Sequence, residues 1–112
     1  MHELGIAETV IEAVTERLPG TKISSISLEV GSLSGIVPDS LRFSFELATA
    51  GTPLEGAVLQ ITQLPARCRC GACGREFEAD GRAGPVPLCA CGSAEVTVLS
   101  GQELRIASVQ VG

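Results

Sequence analysis

Four of the five cysteines form two close pairs, Cys70 with Cys73 and Cys89 with Cys91, and fifteen residues separate the pairs. Two such pairs, each on its own turn, can offer four thiolates to one tetrahedral zinc ion. The second pair is Cys-X-Cys, one residue shorter than the usual spacing, and Cys68 is an alternative or auxiliary ligand. Because a four-thiolate site leaves no position for water or substrate, we expect the zinc to be structural.

A redox role for Cys70 and Cys73 is the enzymatic alternative. A thiol oxidoreductase would place this pair at the start of a helix, where the helix dipole lowers a thiol pKa. Glycines follow both cysteines, at Gly71 and Gly74, and they disfavour a helix start. A metal site is therefore favoured over a reversible disulfide.

The single histidine, His2, lies next to the first residue. The Met1 amine, the amide nitrogen of His2 and its imidazole can close adjoining chelate rings, with the Glu3 amide as a fourth nitrogen. Planar nitrogen ligation favours Ni(II) or Cu(II). An exposed histidine at a chain terminus usually has no function, however, so these residues alone leave both interpretations open.

Two segments have the apolar spacing of amphipathic helices. The first is ended by Pro19 and Gly20, and the second begins at Pro38 and ends at Gly51. Glutamates occupy the other side of the first segment, as expected for a solvated face. The predicted buried faces are Leu4, Ala7, Ile11, Val14 and Leu18 in the first helix, and Leu41, Phe45 and Ala48 in the second.

Four further segments are predicted to be strands. Alternation of Ile26, Leu28 and Val30 with polar residues indicates a strand with one buried face. A second strand is predicted over 57–64, before Pro65. Strands over 96–99 and 104–111 are joined by a short polar segment, so we expect them to form a hairpin.

This order of elements predicts an α+β fold, a small mixed sheet with two helices, into which a zinc-ribbon-like cysteine module is inserted. Residues 1–66 and 94–112 would form a discontinuous α+β domain that carries the amino-terminal residues, and residues 67–93 the zinc-binding module. The inserted segment has few aliphatic residues, so the metal must replace the missing core.

Composition and charge narrow the classes of protein further. The net charge is −5 and the isoelectric point is near 4.8, which argue against nucleic-acid binding. No apolar run is long enough to span a membrane, and we expect a soluble, cytoplasmic protein. Four arginines near the cysteines are interleaved with acidic residues and predict a solvated, nearly neutral face: Arg67, Arg69, Arg75 and Arg82 with Glu76, Glu78 and Asp80.

Four stretches of the chain together resemble the HypA/HybF family of hydrogenase nickel-incorporation proteins, and the resemblance covers essentially the whole sequence. These stretches are the Met-His-Glu-Leu start, the Gly-Ser-Leu-Ser-Gly-Ile-Val-Pro segment at 31–38, the cysteine block, and the Leu-Ser-Gly-Gln-Glu-Leu-Arg-Ile segment at 99–106. The cysteine block departs from the family pattern in the shortened spacing between Cys89 and Cys91.

The resemblance implies a nickel metallochaperone and not an enzyme. It implies a Ni(II) cargo on Met1, His2 and Glu3, and a structural Zn(II) on the paired cysteines. The implied partners are a hydrogenase maturation GTPase and the large subunit of a nickel-iron hydrogenase, with urease accessory proteins as alternative clients. We expect a monomer or weak homodimer. The alternative function is a zinc-ribbon adaptor that binds other proteins without nickel.

Overall fold

The computed structural model describes residues 2–79 and 87–112, with His2 described by its backbone alone. It contains two three-stranded sheets, in the orders β2-β1-β6 and β4-β3-β5. The predicted α+β class with two helices is confirmed, although two sheets replace the single one predicted. The elements are α1 (His2–Arg17), β1 (Ile23–Gly31), α2 (Pro38–Thr49), β2 (Val58–Leu64), β3 (Ala66–Cys70), β4 (Glu76–Ala79), β5 (Val96–Ser100) and β6 (Leu104–Val111).

The chain divides into two compact units, and it passes between them several times. The first comprises the residues up to Leu28, Ile36–Thr62 and Arg105–Gly112. The second comprises Glu29–Gly35 and the described residues of Gln63–Leu104. Both helices thus belong to the first unit, and all the cysteines belong to the second.

The buried face of α1 is rotated from the one predicted. Ala7, Val10 and Val14 are buried, whereas Leu4 is 42% exposed and Ile11 is half-buried. On a helix with 3.6 residues per turn, positions 7, 10 and 14 form one line, and positions 4 and 11 lie on its flank. The prediction of a buried Leu4 is therefore wrong, since the spacing alone allowed either line to face the core.

The second helix begins as its sequence predicts. Pro38 occupies the first turn, where its missing N–H removes no helical hydrogen bond, and the Leu41 amide donates to the Val37 carbonyl at 3.0 Å. Leu41 and Phe45 are buried, as expected, and Ala48 is half-buried. Neither helix within the described residues is long and apolar enough to cross a membrane.

The predicted hairpin of β5 and β6 does not form. β5 pairs in antiparallel orientation with β3, whereas β6 is a neighbour of β1 in the other sheet. The intervening Gly101 has φ +120°, and its carbonyl accepts the Leu33 amide at 2.8 Å. A Cβ on Gly31 would overlap that same carbonyl, so two glycines allow the backbones to meet where the chain changes sheets.

Candidate functional site

Four thiols converge in the second unit. The sulfur atoms of Cys70, Cys73, Cys89 and Cys91 all lie within 4.8 Å of one another. Two contacts join the cysteine pairs, with Cys70 Sγ 3.7 Å from Cys91 Sγ and Cys73 Sγ 3.6 Å from Cys89 Sγ. The structure therefore brings together all four cysteines whose spacing predicted a shared metal site.

The β3–β4 hairpin positions the first pair. Cys70 ends β3, and a turn rather than a helix follows it, closed by the Cys70 amide on the Arg75 carbonyl at 2.8 Å. The Cys73 amide donates to Cys70 Sγ at 3.4 Å. This backbone hydrogen bond, more than any other contact, lowers the pKa of Cys70 to about 6, against the opposing effect of burial. A thiolate, the form that binds metals, is thereby favoured.

The second pair lies on a tight turn without regular structure. The Gly92 amide donates to the Cys89 carbonyl at 2.9 Å, and the Cys89 amide donates to the Ser93 carbonyl at 3.2 Å. Gly92 has φ +92°, a conformation that other residues adopt rarely, and this geometry closes the turn despite the short Cys-X-Cys spacing. Cys89 is buried and Cys91 is exposed, so the pair contributes one inner and one outer thiol.

Cys68 is not part of this group. It lies in the middle of β3, opposite Phe77 of β4 and Val98 of β5, and is fully buried. Burial raises the pKa of its thiol, with Arg67 acting weakly in the opposite direction. The neutral thiol is therefore a small apolar side chain in the core of this sheet.

The arrangement of the four sulfurs fits a tetrahedral zinc ion. Zinc–sulfur bonds of about 2.3 Å, arranged tetrahedrally, place the sulfurs roughly 3.8 Å apart. The two contacts of 3.7 and 3.6 Å agree with that spacing. Two of the four thiols, Cys70 and Cys89, are buried, and Cys73 and Cys91 are exposed.

One arginine lies beside the cysteine cluster. Arg75 lines a hollow of about 410 Å³ with Cys73, Cys89 and Cys91, so a guanidinium accompanies thiolates that would carry net negative charge. The structure adds Arg75 to the residues that sequence reasoning assigned to the site; its place immediately after the Cys-Gly turn was the available signal.

On the opposite face of β3, Arg67 and Arg69 pair with Glu76 and Glu78, as predicted for these four residues, whereas Arg75 lies beside the cysteine cluster. Arg69 Nη2 donates to a Glu76 carboxylate oxygen at 2.9 Å, and Arg67 lies within 4.0 Å of both Glu76 and Glu78. These contacts lower the pKa of Glu76, the Arg69 hydrogen bond most of all. Arg82 and Asp80, assigned to the same face, lie outside the described residues.

The predicted nickel residues lie at the start of α1. The helix begins at His2, and the first four amides of an α-helix have no acceptor within the helix. The amide nitrogens of His2 and Glu3 belong to this turn, so their N–H groups donate no hydrogen bond within the helix. Glu3, the second residue of the helix, is only 9% exposed, so its side chain packs within the first unit. Met1 lies outside the described residues.

Known proteins are similar to this chain over nearly its whole length. The profile of a family described as "Hydrogenase/urease nickel incorporation, metallochaperone, hypA" matches residues 1–111. A hydrogenase maturation factor HypA from Nostoc punctiforme is 41% identical over 111 residues, which are 99% of this chain and 96% of that protein. The Streptomyces avermitilis protein of the same name is 46% identical over 113 residues, covering 97% of this chain and 86% of its own.

Solved structures share the fold. The solution structure of the nickel metallochaperone HypA from Helicobacter pylori has a TM-score of 0.64 at 20% identity, covering 97% of this chain and 96% of that chain. A second structure, described as the solution structure of HypA protein, has a TM-score of 0.62 at 22% identity, covering 99% of this chain and 96% of its own. The whole-length profile match and the relatives above 40% identity show that this chain belongs to the HypA family of nickel-incorporation metallochaperones that act in hydrogenase maturation.

Proposed function

We propose that this protein carries Ni(II) on Met1, His2 and Glu3 and delivers it, with a partner GTPase, to the large subunit of a nickel-iron hydrogenase. The observation that carries the proposal is the start of α1 at His2, within a family match that covers residues 1–111. Family membership supports nickel as the cargo and hydrogenase maturation as the process, and the start of α1 offers a set of nitrogen ligands in this chain.

The first helical turn is suited to hold nickel and to release it. The Met1 amine, two backbone amides and the His2 imidazole offer four nitrogens to a planar ion such as Ni(II). Planar coordination requires His2 to leave the helical conformation, but the buried Glu3 and Ala7 anchor the residues that follow. An acceptor protein can then displace the nitrogens one at a time, starting from the terminal amine, while α1 stays in place.

The four-cysteine cluster is assigned a structural Zn(II). Residues 67–93 would form the zinc-binding module, and residues 1–66 with 94–112 the nickel-binding domain. Cys70, Cys73, Cys89 and Cys91 would supply all the ligands, with Cys68 in the neighbouring core. A closed four-thiolate site has no exchangeable position, so it supports the fold and performs no catalysis. The protein is accordingly proposed to be a carrier rather than an enzyme.

The partners and compartment follow from the same assignment. We propose that the protein acts as a monomer or weak homodimer in the cytoplasm, where thiols remain reduced and available to zinc. Its clients would be hydrogenase maturation proteins, with urease accessory proteins as an alternative. Nucleic acid is not among the proposed partners, because the chain has a net charge of −5, and no membrane partner is proposed.

Nickel titration of untagged protein tests the proposal. Wild type and His2→Ala are titrated with Ni(II), the d–d absorption of planar nitrogen ligation is followed, and zinc is counted in both. We expect one nickel site in wild type, its loss in His2→Ala, and unchanged zinc. Equal nickel binding by both proteins would overturn the proposal and favour a zinc-ribbon adaptor that works without nickel.

A further inference from the structure

The first unit has an exposed apolar groove that the nickel and zinc assignments do not explain. Two hollows, of about 530 and 430 Å³, lie between α1 and α2 and share Leu4 and Leu47 in their walls. Phe43 lines the first hollow, and Ile11 lines the second. We call this continuous surface, made by Leu4, Ile11, Phe43 and Leu47, the α1–α2 groove.

The side chains of the groove are unusually exposed for their type. Leu4 is 42% exposed, and Phe43 and Leu47 are each 62% exposed. Phe43 and Leu47 stand four residues apart on α2, on the side away from the buried Leu41 and Phe45. Contiguous apolar side chains at helical spacing, left open to water, mark binding surfaces more often than scattered exposed residues do.

Acidic side chains border the same groove. Glu8 and Glu12 line the hollow that contains Ile11, and Asp39 and Glu3 line the hollow that contains Phe43. None of the residues lining the two hollows is a lysine or arginine. An apolar floor with a negative rim is complementary to a segment that presents apolar side chains between basic ones.

The dimensions of the groove match a helical ligand. Leu4 and Ile11 are seven residues apart on α1, or about 10 Å along the helix axis. An amphipathic helix repeats its apolar side chains at positions i, i+3, i+4 and i+7, over the same length. Two turns of such a helix would therefore contact the groove from Leu4 to Ile11.

Charge excludes the other candidate occupants. In a symmetric dimer formed through this surface, the acidic rim of one copy would face that of the other. An anionic lipid surface or a nucleic acid would meet the same repulsion. From the groove and its rim we infer that this surface binds a basic amphipathic helix of a partner protein.

The location of the groove gives this interaction a role. Leu4 and Glu3 directly follow His2 in α1, so a helix docked on the groove would lie beside the proposed chelate. The inference rests on the proposed function in this respect alone: a protein that receives nickel from His2 must approach the same end of α1. Docking would bring the acceptor's ligands close before the first nitrogen is displaced.

An amphipathic peptide of about 14 leucine and lysine residues, with leucines at i, i+3, i+4 and i+7, probes the groove. Its binding to the full-length, isotope-labelled protein is followed by amide chemical shifts. A peptide with glutamate in place of lysine serves as the charge control. We expect the lysine peptide to shift amides of α1 and α2 around the groove, and the glutamate peptide to bind at least ten times more weakly.

Matched variants distinguish peptide binding in the groove from nonspecific hydrophobic binding elsewhere on the protein. Leu47→Ser should weaken lysine-peptide binding at least tenfold, whereas Val111→Ser, at a site of similar exposure on β6, should not change it. Glu12→Lys on the rim should also weaken binding, and Glu16→Lys, outside both hollows, should have a smaller effect. The inference would be overturned if the peptide shifted amides outside the groove, or if the control variants lost as much peptide binding as Leu47→Ser and Glu12→Lys. It would also be overturned by self-association that Leu47→Ser abolishes, or by binding of the protein to anionic vesicles.

Nickel titration of the same variants distinguishes this inference from the proposed function. Leu47→Ser should bind nickel as wild type does, since Leu47 is not one of the proposed ligands. A wild-type protein that binds the peptide in the groove but no nickel would contradict the proposed function and support the docking inference. Nickel binding without any peptide binding would do the reverse.

Discussion

The two proposed metal sites differ in how their ligands are distributed along the chain. The cysteine cluster draws its four sulfurs from two turns separated in sequence, and backbone hydrogen bonds such as Cys73 N to Cys70 Sγ hold those turns. The proposed nickel site would draw on consecutive residues at the start of α1. One site depends on the tertiary fold, and the other needs only a terminus that is held in place by the helix behind it.

This difference matches what each metal must do. An ion held by the cysteine cluster would join β3 to the Cys89–Cys91 turn, two segments distant in sequence, so we expect it to stay bound. A terminal chelate can open one nitrogen at a time and leave the fold intact. Retention and transfer are therefore properties of how ligands are distributed along the chain, as well as of the ligand atoms.

The largest effect is expected from Cys70→Ser. Removing one ligand should release the zinc, and with it the stabilisation that structural zinc gives to small domains, roughly 10–16 kcal/mol. Zinc counting and amide exchange in β3, β4 and β5 measure the change. Cys68→Ala is the matched control, since this buried thiol is not a ligand: it should keep zinc and lose about 1–2 kcal/mol of unfolding free energy. Full zinc content in Cys70→Ser would contradict the cluster.

Acetylation of the Met1 amine should affect the other site alone. Without that nitrogen, nickel affinity should fall on the order of a hundredfold, about 2.7 kcal/mol, while zinc content stays the same. A Lys22→Arg background, which removes the single lysine, leaves the terminal amine as the one primary amine to be acetylated. Calorimetric titration measures the affinity, and unchanged nickel binding would remove Met1 from the ligand set.

The close approach of Gly31 and Gly101 predicts a smaller change in stability. Gly31→Ala would place a methyl group on the Gly101 carbonyl and should lower the free energy of unfolding by about 1–3 kcal/mol. Gly5→Ala provides the contrast, because its Cβ would meet nothing within 4 Å and alanine favours a helix by about 1 kcal/mol. Denaturant unfolding of both variants tests this pair, and a Gly31→Ala protein as stable as wild type would contradict the contact.

The smallest effect concerns Glu76. Because Arg69 and Arg67 lower the pKa of this carboxyl, the contact adds stability above the usual glutamate pKa and loses it as pH falls through the lowered value. A carboxyl titration followed by nuclear magnetic resonance should give Glu76 a higher midpoint in Arg69→Gln than in wild type, because the largest cause of the lowered pKa is removed. An unchanged midpoint in Arg69→Gln would show that the ion pair does not form in solution.

Local features of the fold could be predicted from the sequence. Pro38 begins α2, the alternation from Ile26 to Val30 lies within β1, and the spacing of the cysteines indicated which four would meet. The first two depend on residues close together in the chain, and the third depends on the four thiolates that a structural zinc site requires. The α+β class follows from the same local signals.

The features that could not be predicted depend on contacts between distant segments. β5 and β6 have the sequence of a hairpin, but pairing with β3 and the glycine contact at Gly31 and Gly101 separate them into two sheets. Leu4 has the spacing of a core residue, yet the packed line passes through Ala7 and Val10. The exposed apolar surface could have been predicted from Phe43 and Leu47, because they lie four residues apart and outside the predicted buried face of α2.

Native mass spectrometry of three proteins tests the central claim that retention and transfer belong to separate sites. Wild type, His2→Ala and Cys73→Ser are each incubated with equal zinc and nickel, and the bound ions are counted. The account predicts one zinc and one nickel in wild type, zinc alone in His2→Ala, and nickel without zinc in Cys73→Ser. Loss of both metals in either variant, or nickel retained by His2→Ala, would contradict it.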